Sequence, residues 1–391
     1  MKYYFSSDIN KDEYDEFIIN HASSFMQTSS WKEVKSNWRS YLCGLYQDNK
    51  LKGVCLILEK KLFLNINLFY IPKGYVLDSS NKELLEEFTK EIKKFSKLHH
   101  AYAIKLDPNF CVKEELNIEN AYNYYEKDIE DKHQNLLRLG YHHKGYKKEI
   151  DAYLQPRYQM MIPLCDSNRY PYTKEEIKKN CKKKVAGYFG SYHEKRGVFF
   201  TKSNDIKDLD EFMKVIKLTE KRQNISLRNK KYFESILNNL DAYIFLGKLN
   251  LNVYLKYLKE ENKDLDDIKL VEDLLKEGQT IITLSTAIVI FPINKVGIRT
   301  SEYLYAANNL LFAKLNVSVG LVYDICLESL EKKCVFCNLG GVSGYLNDHL
   351  YTFKSKFNSN VVEYVGEYDL IINKFLYYPI DLLLPLIKKV I

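Results

Sequence analysis

The residues best suited to chemistry cluster near one end of the chain, in GGVSGYLNDHLYTFKSKFNSNVVEYVGEYDL from Gly340 to Leu370. Phe353 and Lys354 fall there between a glycine-broken turn and a strand-like run. A cation fixed beside a sheet edge can stabilise negative charge that develops during acyl or phosphoryl transfer. Taken alone, the pair also reads as a packed aromatic followed by a surface lysine. Gly340, Gly341 and Gly344 permit tight backbone geometry that side chains would forbid. Val361, Tyr364 and Tyr368 continue as a strand-like run among the acids Glu363, Glu367 and Asp369.

Further candidates lie upstream. In SSWKEVKSNW, Ser30 can cap a helix with Glu33 three residues later. Trp31, Val34 and Trp38 make one apolar stripe, and Lys35 borders that face. Arg228 and Tyr232 stand four apart, so a helix through LRNKKYFESILNNL would put them on one side. Arginine suits forked phosphate contacts, although a solvated helix residue is the plainer reading. Asp107, followed by Pro108, closes the strand-like AYAIKLDPNF.

The cysteines point to no metal or redox centre. Only Cys334 and Cys337 of the eight form a Cys-x-x-Cys pair, with no second pair of ligands at zinc-site spacing. That pair sits in a β-rich run instead of opening a helix. Reduced, buried thiols of a cytoplasmic protein are the expectation, and MKYYFSSDINKDEYDEFI is too polar for a secretory leader.

The elements that must position these residues alternate between helix and strand. The chain has 391 residues, enough for two domains, with 46% apolar and 28% charged residues. That composition is globular, and a formal charge of +7 favours anionic partners without selecting one. NKELLEEFTKEIKKFSKLHH has a helical period, and so does DIKDLDEFMKVIKLTEKRQN. TKEEIKKNCKKKVAGYF reads as one strongly basic helix. Strands are expected at RGVFFTKS, DAYIFLGKLN and LNVYLKYLKE, and the apolar IITLSTAIVIFPI reads as a buried strand too short to span a bilayer. FLYYPIDLLLPLIKKVI reads as a packed terminal segment, with the membrane interface as the alternative. The fold class is α/β, in mixed-sheet layers, without the strand–glycine-loop–helix unit of dinucleotide-binding proteins.

Taken in order, FMQTSSWKEVKSNW, FYIPKGYVLD, AIKLDPNF, ISLRNKKYF, SEYLYAANN and the Gly340–Leu370 block resemble the FemABX family. These are non-ribosomal peptidyltransferases that add amino acids to peptidoglycan precursors. The resemblance covers essentially the whole chain and implies tandem acetyltransferase-like (GNAT-like) domains. It places 1–153 plus about 366–391 in the first domain and 154–365 in the second. The interval from Leu258 to Gln279 is too short for the long coiled-coil arm of some members.

The resemblance also implies roles. Lys35 and Arg228 would flank the diphosphate of a UDP-linked or lipid-linked muramyl pentapeptide. Tyr102, Tyr232 and Tyr305 would be cleft tyrosines holding sugar or stem peptide. Lys354 would stabilise the oxyanion, with Phe353 beside it, and Asp107 would orient or deprotonate the accepting amine. The implied activity is aminoacyl transfer of glycine, alanine or serine, with charged tRNA as co-substrate and no further cofactor or metal. The basic segments 174–184 and 228–231 offer surfaces to tRNA or the pyrophosphate. The implied setting is the cytoplasm, as a monomer or weak oligomer touching the inner face of the membrane. An acyl-CoA-dependent N-acyltransferase and a non-catalytic precursor- or tRNA-binding protein are the alternatives.

Overall fold

A computed structural model describes residues 2–63, 65–115, 128–150, 154–262, 264–296 and 299–387. Part of the polar stretch near 113–133, the domain boundary at 153/154 and the last four residues of the terminal segment therefore lie outside the described residues. In chain order the strands are β1 (Tyr3–Ser6), β2 (Arg39–Gln47), β3 (Lys50–Phe63), β4 (Ile66–Ile71), β5 (Val76–Leu77), β6 (Ala101–Leu106), β7 (Cys111–Glu115) and β8 (Tyr141–His143). They continue as β9 (Tyr158–Pro163), β10 (Val198–Ser203), β11 (Ala242–Asn250), β12 (Ile281–Ile290), β13 (Thr300–Asn308), β14 (Phe336–Val342), β15 (Asn360–Tyr364) and β16 (Tyr368–Ile371).

Two mixed sheets result. The first runs β1-β2-β3-β4-β6-β16-β8, with β5 paired to β3, and the second runs β10-β11-β12-β13-β14-β9-β15-β7. The chain crosses between them four times: β7 leaves the first half to form the edge of the second sheet, β8 returns to the first, β9 opens the second half, and β16 comes back to lie between β6 and β8. The run from Val361 to Tyr368, expected as one strand, is therefore split. Gly366, at φ +97°, lies in the short connection where the chain changes sheets.

Each sheet contains a parallel pair, β4 with β6 and β13 with β14. The second pairing spans only Thr300–Glu302 against Phe336–Asn338, after which the strands part. That splay opens the sheet where Glu302, Asn338, Gly340 and Gly341 emerge. The largest apolar core is shared by the two halves. It joins Trp31, Val34, Leu56 and Tyr70 to Phe212, Phe233, Ile288 and Ala307.

Local physics alters several elements. The helix after Thr28 spans Ser29–Val34 and is capped by the Thr28 side chain, not by Ser30. Thr28 has the extended backbone a cap needs, whereas Ser30 is already helical. The basic stretch breaks into helices Lys174–Asn180 and Lys183–Ala186, because Cys181 is extended between them. LNVYLKYLKE, expected as a strand, is the helix Leu251–Glu260. Its β-favouring composition misled, but Leu251, Tyr254 and Leu258 are the buried residues, at helical spacing, and Asn250 caps Val253 N–H. With Leu265–Lys276 it makes a short hairpin, the longer helix extending about 18 Å. The terminal helix Lys374–Ile387 buries Tyr377 and Ile380 while Phe375, Tyr378 and Leu382 face outward. Among the described residues no helix is long and apolar enough to cross a membrane.

One buried side chain locks the loop that reaches the site. Gln27, with no exposed surface, donates from Nε2 to Pro72 O at 2.7 Å and accepts Leu56 N–H at 2.9 Å. Gln27→Ala strands both backbone groups and is expected to lose about 2–5 kcal/mol of stability. Urea unfolding measures this, and a loss below about 1 kcal/mol would mean that water replaces the amide.

Candidate active site

A cleft of about 370 Å³ lies between the halves. At one end, helix Ser29–Val34 delivers Lys35 at its C-cap. The Lys35 ammonium lies 5.1 Å from the Trp31 ring centre and 5.5 Å from that of Tyr232. Arg228 comes from the loop just before helix Lys230–Asn239, which Asn229 caps, and its guanidinium carbon is 5.5 Å from the same Tyr232 ring. The Tyr305 hydroxyl donates to that of Tyr232 at 3.4 Å. Burial, with Arg228 adding repulsion, pulls the Lys35 ammonium down to about 8. No carboxylate pairs with either cation among the described residues, so this end attracts an anion.

The other end carries the expected Asp107 together with two charges that the sequence reading missed, Lys73 and Glu302. Lys73 follows β4 at φ +50°, and its N–H donates to Asp107 Oδ1 at 3.0 Å. Tyr70 donates to the same oxygen at 3.0 Å. The Lys73 ammonium is 3.9 Å from Asp107 Oδ2 and 4.2 Å from the Tyr364 ring centre, a cation–π contact. Burial lowers the pKa of Lys73 and raises that of Asp107, outweighing their mutual attraction. Glu302, on β13, accepts Asn338 Nδ2–H at 2.8 Å, and burial pushes its carboxyl up to about 8. Asn338 also donates to Gln159 Oε1 at 2.7 Å and accepts Gly340 N–H at 2.8 Å.

Lys354 stands behind this wall. It ends the short helix His349–Lys354, is 6% exposed, and donates to Gly341 O at 2.7 Å. Gly340, at φ +81°, would bring a Cβ within 3.8 Å of that ammonium. Burial lowers Lys354 to about 8, against a small opposing pull from Asp348. Phe353 packs its ring edge-on to Phe357 at 5.5 Å and does not line the cleft.

Of the expected site residues, Lys35, Arg228, Tyr232 and Tyr305 line one cleft, with Asp107 reaching it through Lys73 and Lys354 through Gly341. Tyr102 does not belong with them. It is buried against Tyr377 and Ile380 beneath the terminal helix, at the end of β6 away from Asp107. Five residue steps of extended chain separate the two by about 16 Å. Lys73 and Glu302 had one legible signal each: a lysine enclosed by Pro72 and Gly74, and a carboxylate inside an aromatic strand.

A sequence profile of the FemAB family matches residues 9–278 and 265–384. The chain belongs to the FemAB family. It is 28% identical over 429 aligned positions to the Lipid II:glycine glycyltransferase of Staphylococcus haemolyticus, covering 97% of this chain and 96% of that one. Identity to the enzyme of the same name from Staphylococcus aureus is 28% at the same coverage. Among solved structures, FemX superposes with a TM-score of 0.77 at 26% identity, covering 97% of this chain and all of the other. A tandem GNAT protein from clavulanic acid biosynthesis has a TM-score of 0.52 at 4% identity, covering 95% and 99% of the two chains, a likeness of fold alone. This FemAB-family member thus has tandem GNAT-like architecture and, in place of a long arm, the short hairpin after β11.

The anion-attracting end generates a direct test. Inorganic pyrophosphate at pH 8 is expected to bind with proton uptake, because an anion restores the charge that burial takes from Lys35. Calorimetry in buffers of differing ionisation enthalpy reads that uptake. Arg228→Ala should weaken binding about tenfold or more. Binding without proton uptake, and indifferent to Arg228→Ala, would locate the anion elsewhere.

Proposed function

We propose that this chain transfers an amino acid, glycine first among candidates, from its ester on tRNA to the stem-peptide amine of a lipid-linked peptidoglycan precursor. The observation that carries the reading is a single cleft with paired cations at one end and a lysine-backed glycine turn beside carboxyl groups at the other. The curated relatives reported above are named for glycine transfer to lipid II, which supports the choice of donor and acceptor.

In this reading Lys35 and Arg228 hold the diphosphate, and Tyr232 and Tyr305 pack against sugar or stem peptide. The amine then reaches the end that holds Glu302 and the Gly340–Gly341 turn. An aminoacyl ester is already activated, so no covalent enzyme intermediate is needed. Catalysis consists of placing the amine against the carbonyl and stabilising the oxyanion that forms. Lys354 supplies the positive charge. Phe353 holds the short helix that carries it, through packing on Phe357. The splay between β13 and β14 is also where an acyl-CoA-dependent enzyme would seat its pantetheine arm, so acetyl-CoA is the control donor.

Transfer of labelled amino acids from a mixed aminoacyl-tRNA pool to lipid-linked and UDP-linked muramyl pentapeptides is the decisive assay. Glycine transfer to the lipid-linked acceptor is expected, with kcat reduced about 10²–10³-fold in Lys354→Met. A lysine held at about 8 is charged below that pH and neutral above it, so kcat should fall as pH rises through 8. Lys354→Arg should move that falling limb upward. Transfer from acetyl-CoA alone, or no transfer, sinks the proposal.

A lipid-linked acceptor lies at a membrane, and we assign contact with it to the outward face of helix Lys374–Ile387. Phe375, Tyr378 and Leu382 are 92%, 60% and 79% exposed along one stripe, and Lys374 begins the helix. Co-sedimentation with anionic phospholipid vesicles should be lost when Phe375→Glu and Leu382→Glu are combined. Unchanged co-sedimentation removes the helix from the membrane surface.

A further inference from the structure

Three ionisable side chains from three separate elements meet at the inner end of the cleft: Lys73, Asp107 and Glu302. They hold one cation between two acids. Each acid has one oxygen without a hydrogen-bond donor, and the two differ in what that oxygen faces: Asp107 Oδ2 is buried 3.9 Å from the Lys73 ammonium, whereas Glu302 lines the cleft. Asp107 is 3% exposed, and its Oδ1 accepts both Tyr70 O–H and the Lys73 backbone N–H. Its charge is therefore directed to holding the Lys73 loop, whose left-handed backbone, at φ +50°, is otherwise disfavoured. Glu302 is half-buried in the cleft wall, and its Oε2 accepts only from Asn338. Among the described residues no donor reaches Oε1.

The Asn338 amide is oriented by partners on both sides. Its Nδ2 donates to Gln159 as well as Glu302, and its Oδ1 accepts from Gly340. The β13–β14 register sets Glu302 directly across from Asn338. Gly340 and Gly341 follow at the register shift in β14, and the Lys354 ammonium lies behind them. An open carboxylate oxygen and a buried cation thus flank the same glycine turn.

Resting on the aminoacyl-transfer reading, we propose that Glu302 is the catalytic carboxylate that receives the acceptor's ammonium group and takes its proton, and that Asp107 is a positioning residue acting through Lys73. Burial makes the transfer favourable. In a cleft that penalises both charges, an ammonium–carboxylate pair relaxes to a neutral amine beside a neutral acid. The freed amine nitrogen bonds to the ester carbonyl carbon. The bond from that carbon to the ribose oxygen then breaks, and a second proton from nitrogen goes to the departing oxygen. Glu302 returns its own proton to solvent, so one proton is released per amide formed.

The groups facing Glu302 are consistent with this role. Lys73, from the loop after β4, favours its anion, and Cys337, from β14, disfavours it. Their balance, dominated by burial, leaves the carboxyl at about 8, within a few units of an ordinary amine near 10.4.

The test is the pH dependence of the ratio between wild-type and Glu302→Gln transfer rates, with saturating acceptor and charged tRNA. Titration of Lys354 affects both enzymes and cancels in the ratio. Near neutral pH the variant should be about 10²-fold slower. Above the pH at which Glu302 ionises, both enzymes share the fall set by Lys354, but the variant gains about tenfold per pH unit relative to the wild type as free amine accumulates. The ratio should therefore collapse toward high pH. Asp107→Asn should instead lower the rate by a factor that does not change with pH.

A wild type active throughout, with a Glu302→Gln deficit constant at every pH, overturns the assignment and leaves the proposed function standing. A folded wild type that transfers nothing removes both. Thermal melts accompany the rates. Should Glu302→Gln fail to fold, Glu302→Ala is assayed with formate as a diffusible carboxylate. Rescue supports the assignment and its absence counts against it.

Discussion

An ammonium group removed from water costs several kcal/mol unless its surroundings replace the lost hydration. Lys73 offsets part of that cost with groups from both halves of the molecule, although burial still lowers its pKa. Asp107 and the Lys73 loop come from the first sheet, while the Tyr364 ring and Glu302 come from the second. Even that partial compensation is available only when the two sheets are correctly juxtaposed. The cleft is therefore shaped by the same contacts that compensate its charges.

Apolar packing supports this arrangement from below. The largest core draws on both halves, so no plane of water separates the sheets at the cleft floor. Strand exchange adds a topological tie, with β7 and β16 each completing the sheet of the other segment. Relative movement of the halves would have to break backbone pairing as well as shared packing. Gln27 extends the same rigidity to the loop that carries Lys73, through bonds to Pro72 and Leu56.

Burial tunes three groups to one narrow range with different consequences. Lys35, Lys354 and Glu302 are all brought to about 8 chiefly by desolvation. For the lysines this means cations easily strengthened by an incoming anion or oxyanion. For the glutamate it means an acid able to exchange a proton with an amine. A cleft with an anion-attracting end and a proton-accepting end suits a long, charged substrate whose reactive nitrogen lies far from its phosphates. The short hairpin after β11 leaves donor recognition to surfaces other than an extended arm.

Much of this was legible in the chain itself. Helical periods located Lys82–Leu98, Leu209–Gln223 and Lys230–Asn239, because burial on one face writes itself into local spacing, and a β-branched apolar run located β12, which is buried on both faces. Ordered motifs supplied the family and, with it, Lys35, Arg228, Tyr232, Tyr305 and Lys354 as candidates. Local signals failed where two conformations share a composition, as at Leu251–Glu260, or where a cap depends on backbone geometry, as at Thr28. They also could not place Tyr102 beneath the terminal helix or bring Lys73 to Glu302, since the partners are separated by hundreds of residues and meet only when strands pair across sheets. Sequence alone determined which elements form and which family's chemistry they carry. Tertiary structure decided which charges lose their water together, and that loss sets the proton affinities on which the site depends.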